Sequence, residues 1–344
     1  MSHFVGLDAS KATTSICVID RNGECVREGV VETEPRAIIR FLRGEGRRYR
    51  RVGIESMSFT PWLYEPLAKA GLPVICIEAS HARSLLKARR NKTDRNDARG
   101  IAEIMRAGVY KAVHIKTKAS QEAKLVLTAR SHLRRKGRDI DNLARAILLQ
   151  FGHKVSRGHT KDFEKKASTV APRGDLLRQI TDVMLAVHRF IDQQIAVLEE
   201  TIAGIVAADP VCQRFMTTPG VGPLTALAVR AAIDVPERFV HSRDVGVHLG
   251  LTPRAFRSGT IDRKGHISKF GDEEARTALF LAAKSLLAVR TRPTALKAWG
   301  RSVVASRGYL RGVIAVARKL AVILHRMWLD GTDFRAELAT TQAA

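Results

Sequence analysis

Residues 3–32 read HFVGLDASKATTSICVIDRNGECVREGVVE. Three short β-branched runs stand out, HFVGLDA, TTSICVID and ECVREGVVE, and Arg21-Asn22-Gly23 joins the second to the third as a hairpin turn. Working outward, a helical pattern runs from Arg36 to Leu42, and RVGIE (51–55) is a further strand. SFTPWLYEPLAKAG follows as a helix stopped by Gly71, and LPVICIEA as another strand. Three antiparallel strands followed by strand–helix–strand units predict a mixed α/β sheet of the ribonuclease-H-like kind. An actin-type ATPase begins in a similar way. It needs a later Gly-rich phosphate loop after a second Asp, and no convincing one is found in this sequence.

The whole chain has 344 residues, room for two domains and a third small one at about 150 residues each. Lys and Arg total 58 against 34 acids, for a net charge of +24. The charge gathers in two zones, 1–150 and 251–344, and nearly balances between them. A polyanion is the partner such a surface fits, because each cation placed on a phosphate releases condensed counterion. Hydrophobic residues make up 45% of the chain, which excludes wholesale disorder. No apolar run reaches the ~20 residues that cross a bilayer. The N-terminus lacks the basic and apolar regions of a signal peptide, and Cys17, Cys25, Cys76 and Cys212 never approach CxxC spacing. These features predict a soluble intracellular protein without a structural zinc.

The middle reads as helix. Val126, Leu133, Ile140 and Ile147 recur every seven residues, as do Leu177, Met184, Ile191, Leu198 and Ile205. Strict sevens predict a coiled-coil seam between two long antiparallel helices over 118–207, with the polar, Gly/Pro-punctuated stretch between them as a loop. The last third, 208–344, opens with TTPGVGPLTALAV, which is similar to a helix–hairpin–helix element. There Gly220 and Gly222 would let a phosphate approach backbone N–H groups; a plain helix start after Pro219 is an equal reading. A short basic non-helical stretch, PRAFRSGTIDRKGHISKFG, and further helices complete a mainly α-helical C-terminal part.

Four carboxylates carry the chemistry. Asp8 ends the first strand and Glu55 ends RVGIE, making 1–117 the domain that holds them. Asp94 and Asp97 lie three apart at the start of a helix, so both face one way. Residues 83–138 hold seventeen Lys or Arg and only four acids, two of which are Asp94 and Asp97. Oxygen ligands inside a basic region suit Mg²⁺ held against phosphates, and two such ions could activate a nucleophile and stabilise a leaving oxygen. The plain alternative is a helix N-terminus, with Thr93 or Asp94 as cap and acids complementing the dipole.

Taken in order, GLDASK, GIES, HARSLLKARRNKTDRNDARGIAEIM, PGVGPLTALAVRAAI and LGLTPRAFRSGTIDRKGHISKFGDEEARTALFLAA resemble the DEDD insertion-sequence transposases, the bridge-RNA-guided recombinases of the IS110 family. The resemblance spans both ends of the chain around the helical arm. It implies a RuvC-like nuclease domain with Asp8, Glu55, Asp94 and Asp97 as metal-binding tetrad, and a C-terminal transposase domain whose serine nucleophile falls on Ser258. Spacing alone would not have picked Ser258; Ser268 is a nearby competitor, and a turn serine before glycine is the bland reading. The resemblance further implies donor and target DNA, a guide RNA, composite sites in a homo-oligomer from dimer to tetramer, no membrane partner, and a bacterial cytoplasmic setting at the nucleoid. Lys92, Arg95, Gly220, Gly222, Arg254, Arg257, Lys264 and Lys269 are the candidate phosphate contacts. The low aromatic content, 6%, leaves few side chains for stacking single bases, in keeping with backbone reading. One departure concerns the residues after Glu55. The family usually has a small hydroxyl residue and glycine there, and this chain has Ser56-Met57-Ser58-Phe59. A metal-only nuclease such as a junction resolvase, and a non-catalytic nucleic-acid-binding descendant, are the alternatives.

Overall fold

The structure, a computed structural model, describes residues 2–44, 46–87, 93–156, 162–172, 174, 176–258, 261–288 and 291–337. The chain divides into two compact units, Met1–Lys116 and Thr117–Ala344.

The first unit is a five-stranded sheet in the order β3-β2-β1-β4-β5. The strands are β1 (His3–Ala9), β2 (Thr13–Ile19), β3 (Cys25–Glu32), β4 (Tyr49–Glu55) and β5 (Val74–Ile77). The first three are antiparallel, whereas β4 runs parallel to β1 and β5 parallel to β4. This is the ribonuclease-H-like arrangement that the three leading strands and the strand–helix–strand units after them predict. Helices α1 (Pro35–Arg43) and α2 (Thr60–Lys69) cover one face, packing Ile38, Leu42, Leu63 and Leu67 on Val5, Leu7, Val52 and Ile54. A short α3 (Ala79–Leu86) follows β5, and α4 (Asp94–Ala107) covers the other face, where Ile101 and Met105 meet Phe4, Cys17 and Ile19. Strand alternation sorts these two sets, since successive side chains leave opposite faces. Gly6 and Gly53 lie on the α4 side. A Cβ on Gly6 would collide with the backbone of Ala98 and Ala102, and one on Gly53 with the side chains of Ile101 and Met105. The two glycines let the helix lie directly on the sheet.

The second unit begins with α5 (Lys118–Gln150), α6 (Phe163–Val170) and α7 (Leu176–Ala208). α5 and α7 pack together along their length, as the heptads predict, but the buried line runs one residue away from most of the predicted one. The buried residues include Leu127, Gly137, Asp141, Ala144 and Leu148 of α5 and Leu185, His188, Ile195, Ile202 and Val206 of α7. Val126, Leu133, Ile140 and Ile147 are only half-buried, as are Met184, Ile191, Leu198 and Ile205. The cause is chemical. The seam itself carries polar groups, which an apolar count passes over: Asp141 Oδ1 lies 2.7 Å from His188 Nδ1, and Arg130 donates to Glu199 at 2.6 Å.

A single core joins the helices that follow: α8 (Pro210–Met216), α9 (Pro223–Ile233), α10 (Arg243–His248), α11 (Glu273–Leu287), α12 (Ala295–Arg307) and α13 (Tyr309–Asp330). Phe215, Val229, Leu279 and Leu320 are among its fully buried members. The basic stretch expected to be irregular is an antiparallel hairpin of β6 (Pro253–Ser258) and β7 (Ile261–Ile267). Its β-branched residues are too few to announce strands from composition. No helix among the described residues is long and apolar enough to cross a membrane.

Candidate active site

Parity places the first two carboxylates. Asp8 follows Phe4 and Gly6 on the face of β1 that α4 covers, and Glu55 follows Gly53 on the same face of β4. Leu7 is paired with Ile54 in the parallel register, so Asp8 and Glu55 leave neighbouring strands at their C-terminal ends. The edge outside the carboxyl ends of parallel strands is where open α/β sheets bind ligands.

The third and fourth come from α4. Thr93 caps the helix, its side chain accepting from the Asn96 N–H at 3.2 Å, which starts the helix at Asp94 and puts Asp94 and Asp97 in its first turn. The other end is pinned at the start of β4, where Arg51 donates to the Met105 carbonyl at 2.8 Å. The first turn of α4 therefore points toward the strand ends that carry Asp8 and Glu55. Asp97 is half-buried and Asp94 exposed. Thr93, and not Asp94, supplies the cap.

The loop after Glu55, where this chain departs from the residues usual in the family it resembles, is well tied. Thr60 donates to the Glu55 carbonyl at 2.8 Å and accepts from the Met57 N–H at 2.9 Å. Ser56 accepts from the Ala79 N–H at 3.2 Å, joining the end of β4 to the start of α3. A serine thus does structural duty beside the acid. Burial and then the Glu55 charge push the neighbouring Cys76 thiol up to about 11.

All four candidate ligands are carboxylates, the donor set that a hard divalent cation takes. Among the described residues no three of Asp, Glu, His or Cys are gathered closely enough to hold an ion as they stand. The set shares one edge of the unit without being closed into a shell.

The remaining sequence candidates are scattered. Lys92 lies outside the described residues. Arg95 is engaged by Glu28 of β3, with Nε donating to Oε2 at 2.8 Å and a second contact to Oε1. Gly220, at φ +87°, points its missing Cβ at the backbone of Ala282 and Leu286, so close packing on α11 is what requires glycine there; Gly222 faces open space. Arg254 donates to the Ser268 carbonyl at 3.1 Å and lies 5.6 Å from the Phe270 ring. Lys269 is exposed at φ +58°. Arg257, Ser258 and Lys264 are placed by their strands: Ser258 is the last residue of β6, paired with Ile261 of β7. Two glycines fasten this hairpin's base, because a Cβ on Gly250 would meet the Phe270 backbone and one on Gly271 the His248 carbonyl. The motif residues LGLTP and SKFG are neighbours for that reason.

Sequence reasoning missed the Asp141–His188–Asp192 group in the helical seam. His188 lies 2.7 Å from Asp141, without hydrogen-bond alignment, and 3.3 Å from Asp192. Burial raises the Asp141 carboxyl above its ordinary range, with the His188 charge opposing the shift. A signal for it does exist in the spacing. Thr181, His188, Ile195 and Ile202 are buried at seven-residue steps, but two of the four are polar, so an apolar count passes over the series.

A mixed sheet of this topology, with Asp8 and Glu55 at two parallel strand ends and Asp94 and Asp97 on the covering helix, is of the ribonuclease-H-like kind. Residues 5–153 match a DEDD transposase family of the IS110 type, and residues 212–299 match the Transposase IS116/IS110/IS902 family. The chain belongs to the IS110 family of DEDD transposases and is a DNA transposase. It is 28% identical over 329 residues to the transposase for insertion sequence element IS1111A of Coxiella burnetii, covering 93% of this chain and 88% of that one. A probable family 20 transposase of Pseudomonas aeruginosa is 27% identical over 342 residues, 96% of this chain and 98% of the relative. The transposase for insertion sequence element IS1328 of Yersinia enterocolitica is 26% identical, covering 82% and 85%. Among solved structures, T. thermophilus RuvC in complex with Holliday junction substrate is similar at 14% identity over 33% of this chain and all of that one, with a TM-score of 0.26.

Proposed function

We propose that this transposase cuts and rejoins DNA by a serine nucleophile working with a Mg²⁺-holding carboxylate set, at sites chosen by base pairing with a bridge RNA. The observation that carries the reading is the placement of Asp8, Glu55, Asp94 and Asp97 around one edge of the first unit. Mg²⁺ bound there would offset charge on a phosphate and lower the cost of ionising an attacking hydroxyl. The chain's own part is to hold acids and serine. Ser258 Oγ loses its proton and attacks a DNA phosphorus, the Oγ–P bond forms, and the P–O bond to the 3′ oxygen breaks to leave a free 3′-hydroxyl. The phosphoserine link keeps the phosphodiester energy for rejoining to another end. Arg254, Arg257, Lys264 and Lys269 on or beside the hairpin, with Lys92, Arg95 and Gly222 elsewhere, supply phosphate contacts.

The net charge of +24 favours a polyanion larger than the cleaved site, and an RNA guide delegates sequence choice to base pairing. The protein works as a homo-oligomer, dimer to tetramer, in the bacterial cytoplasm at the nucleoid. Its organisation is a nuclease domain over 1–117, a helical arm over 118–207 and a transposase domain over 208–344. The test is a denaturing gel of protein incubated with Mg²⁺, co-purified RNA and labelled donor DNA. Wild type should give a covalent protein–DNA adduct and Ser258→Ala none, with nucleic-acid binding retained. Cleavage by Ser258→Ala without an adduct would identify water as the nucleophile and the chain as a metal-only nuclease.

A further inference from the structure

β2 and β3 bring two sulfurs together where the sheet meets solvent. Cys17 Sγ lies 3.9 Å from Cys25 Sγ, and Cys25 Sγ lies 3.9 Å from Glu28 Oε2. Cys17 is buried under α4, whereas Cys25, the first residue of β3, is exposed. Cys25 opens onto a groove of about 440 Å³ that Glu28, Arg95, Asn96 and Arg99 also line. We propose that Cys17 and Cys25 are a redox-active dithiol, with Cys25 the thiol that peroxide oxidises and Cys17 the thiol that resolves it to a disulfide.

The geometry divides the labour. An oxidant entering the groove reaches Cys25, which gives up its S–H proton as it reacts, in a groove that Glu28 and the guanidinium groups of Arg95 and Arg99 also line. Burial, and after it the neighbouring Cys25, pushes the Cys17 thiol up to about 12, so Cys17 keeps its proton while Cys25 reacts. The Cys25 thiolate attacks one oxygen of hydrogen peroxide and the O–O bond breaks. The departing hydroxide takes up a proton as water, leaving Cys25 as a sulfenic acid. The Cys17 sulfur then attacks the Cys25 sulfur, the S–O bond breaks, and the hydroxyl leaves with the Cys17 proton as a second water. Two thiols lose two electrons and one peroxide gains them.

Closing the bond brings the sulfurs from 3.9 Å to a bonded distance of about 2.05 Å. The site can yield by that much. β3 is the edge strand of its sheet, Cys25 is its terminal residue, and the β2–β3 register already shifts between Val18 and Ile19, opposite Cys25. Closure would also take Cys25 from Glu28, the residue that holds Arg95 in the first turn of α4 beside Asp94.

Full-length protein treated with hydrogen peroxide, blocked with N-ethylmaleimide and digested with trypsin without reductant reads this directly. Cleavage after Lys11, Arg21 and Arg27 puts the two cysteines on separate peptides, 12–21 and 22–27. The expected product is these two peptides joined with loss of two hydrogens and released by dithiothreitol. It should form at least about tenfold faster than any oxidised product of the buried Cys76 and Cys212, as exposure directs. In Cys17→Ser and Cys17→Ala, Cys25 should stop at a sulfenic acid that dimedone captures. In Cys25→Ser, which changes an exposed residue, Cys17 should stay reduced. Cys25 advancing to sulfinic acid in wild type with no joined peptide would overturn the pairing, as would a Cys25 that peroxide leaves untouched. The readout is sulfur mass, so it stands or falls separately from the proposed strand-exchange chemistry.

Discussion

Gly6 shows how one missing methyl positions a site. Its vacant Cβ position is filled by the backbone of Ala98 and Ala102, so α4 rests on β1 two residues before Asp8. Gly6→Ala must therefore push α4 off the sheet, at a cost of about 1–3 kcal/mol for overpacking, with lower activity following from displaced carboxylates. Thermal unfolding of the full chain checks this against Gly204→Ala. Gly204 lies inside α7 with nothing near its missing Cβ, and alanine there should stabilise by up to about 1 kcal/mol. Equal melting temperatures for both variants would sever Gly6 from the placement of α4. Asp97 tests the chemistry at the same scale. Asp97→Asn keeps the shape and the helix start, since Thr93 supplies the cap, but removes a charged oxygen from the proposed metal-holding set. Strand cleavage should fall by more than about a hundredfold, while affinity, which the surrounding cations carry, stays close to wild type. Cleavage at the wild-type rate would reduce Asp97 to a dipole-complementing acid.

Among the elements, the α5–α7 pair carries the least expected chemistry. His188 sits between Asp141 and Asp192, with Arg134 3.9 Å from Asp192 and Arg145 also acting on Asp141. Removing one member of a buried ionic group leaves the other uncompensated, so His188→Ala should cost about 3–5 kcal/mol. The sign of the pH effect follows from Asp141. Burial raises its folded pKa above the unfolded one, so its contribution is fully present below the unfolded pKa and is lost as pH rises through the folded value. With His188 gone nothing beside Asp141 offsets that loss as directly, and the deficit of the variant should widen from pH 5 to pH 8. Urea midpoints at the two pH values measure it, and a deficit that narrows would mean that His188 is not the charge that steadies Asp141. The same seam marks the limit of sequence reading. Heptads find both helices because apolar residues flank the contact at seven-residue steps, yet they place it one residue off where a polar residue such as Asp141 occupies the contact itself. The β6–β7 hairpin was illegible because basic residues and glycines mask its alternation. The sheet was legible, and strand alternation and a Thr-capped helix put Asp8, Glu55, Asp94 and Asp97 along one of its edges by local rules. Ser258 had no such rule and came from resemblance.

For the whole molecule, the proposed mechanism poses the question whether the acids and the serine of one site come from one chain. The chain folds as two compact units joined at Lys116–Thr117, with the carboxylates in the first and Ser258 in the second. Two variants, each lacking one half of the chemistry, separate the possibilities. Asp8→Asn keeps an intact serine and Ser258→Ala keeps an intact tetrad, and each alone should be inactive. Mixed before RNA is added, they should recover activity if sites are shared between protomers, because some sites then draw the tetrad from one chain and the serine from another. Random assortment sets the scale. With one tetrad and one serine per site drawn independently from an equal mixture, about a quarter of sites are complete, so recovery should approach a quarter of the wild-type rate when single sites suffice. Sites built within one chain would recover nothing at any mixing ratio. Adduct mass reports which chain attacked: the DNA should be found only on the Asp8→Asn protomer, tagged to be distinguishable. An adduct on the Ser258→Ala protomer would point to another residue, such as Ser268 near the hairpin's base, as the nucleophile.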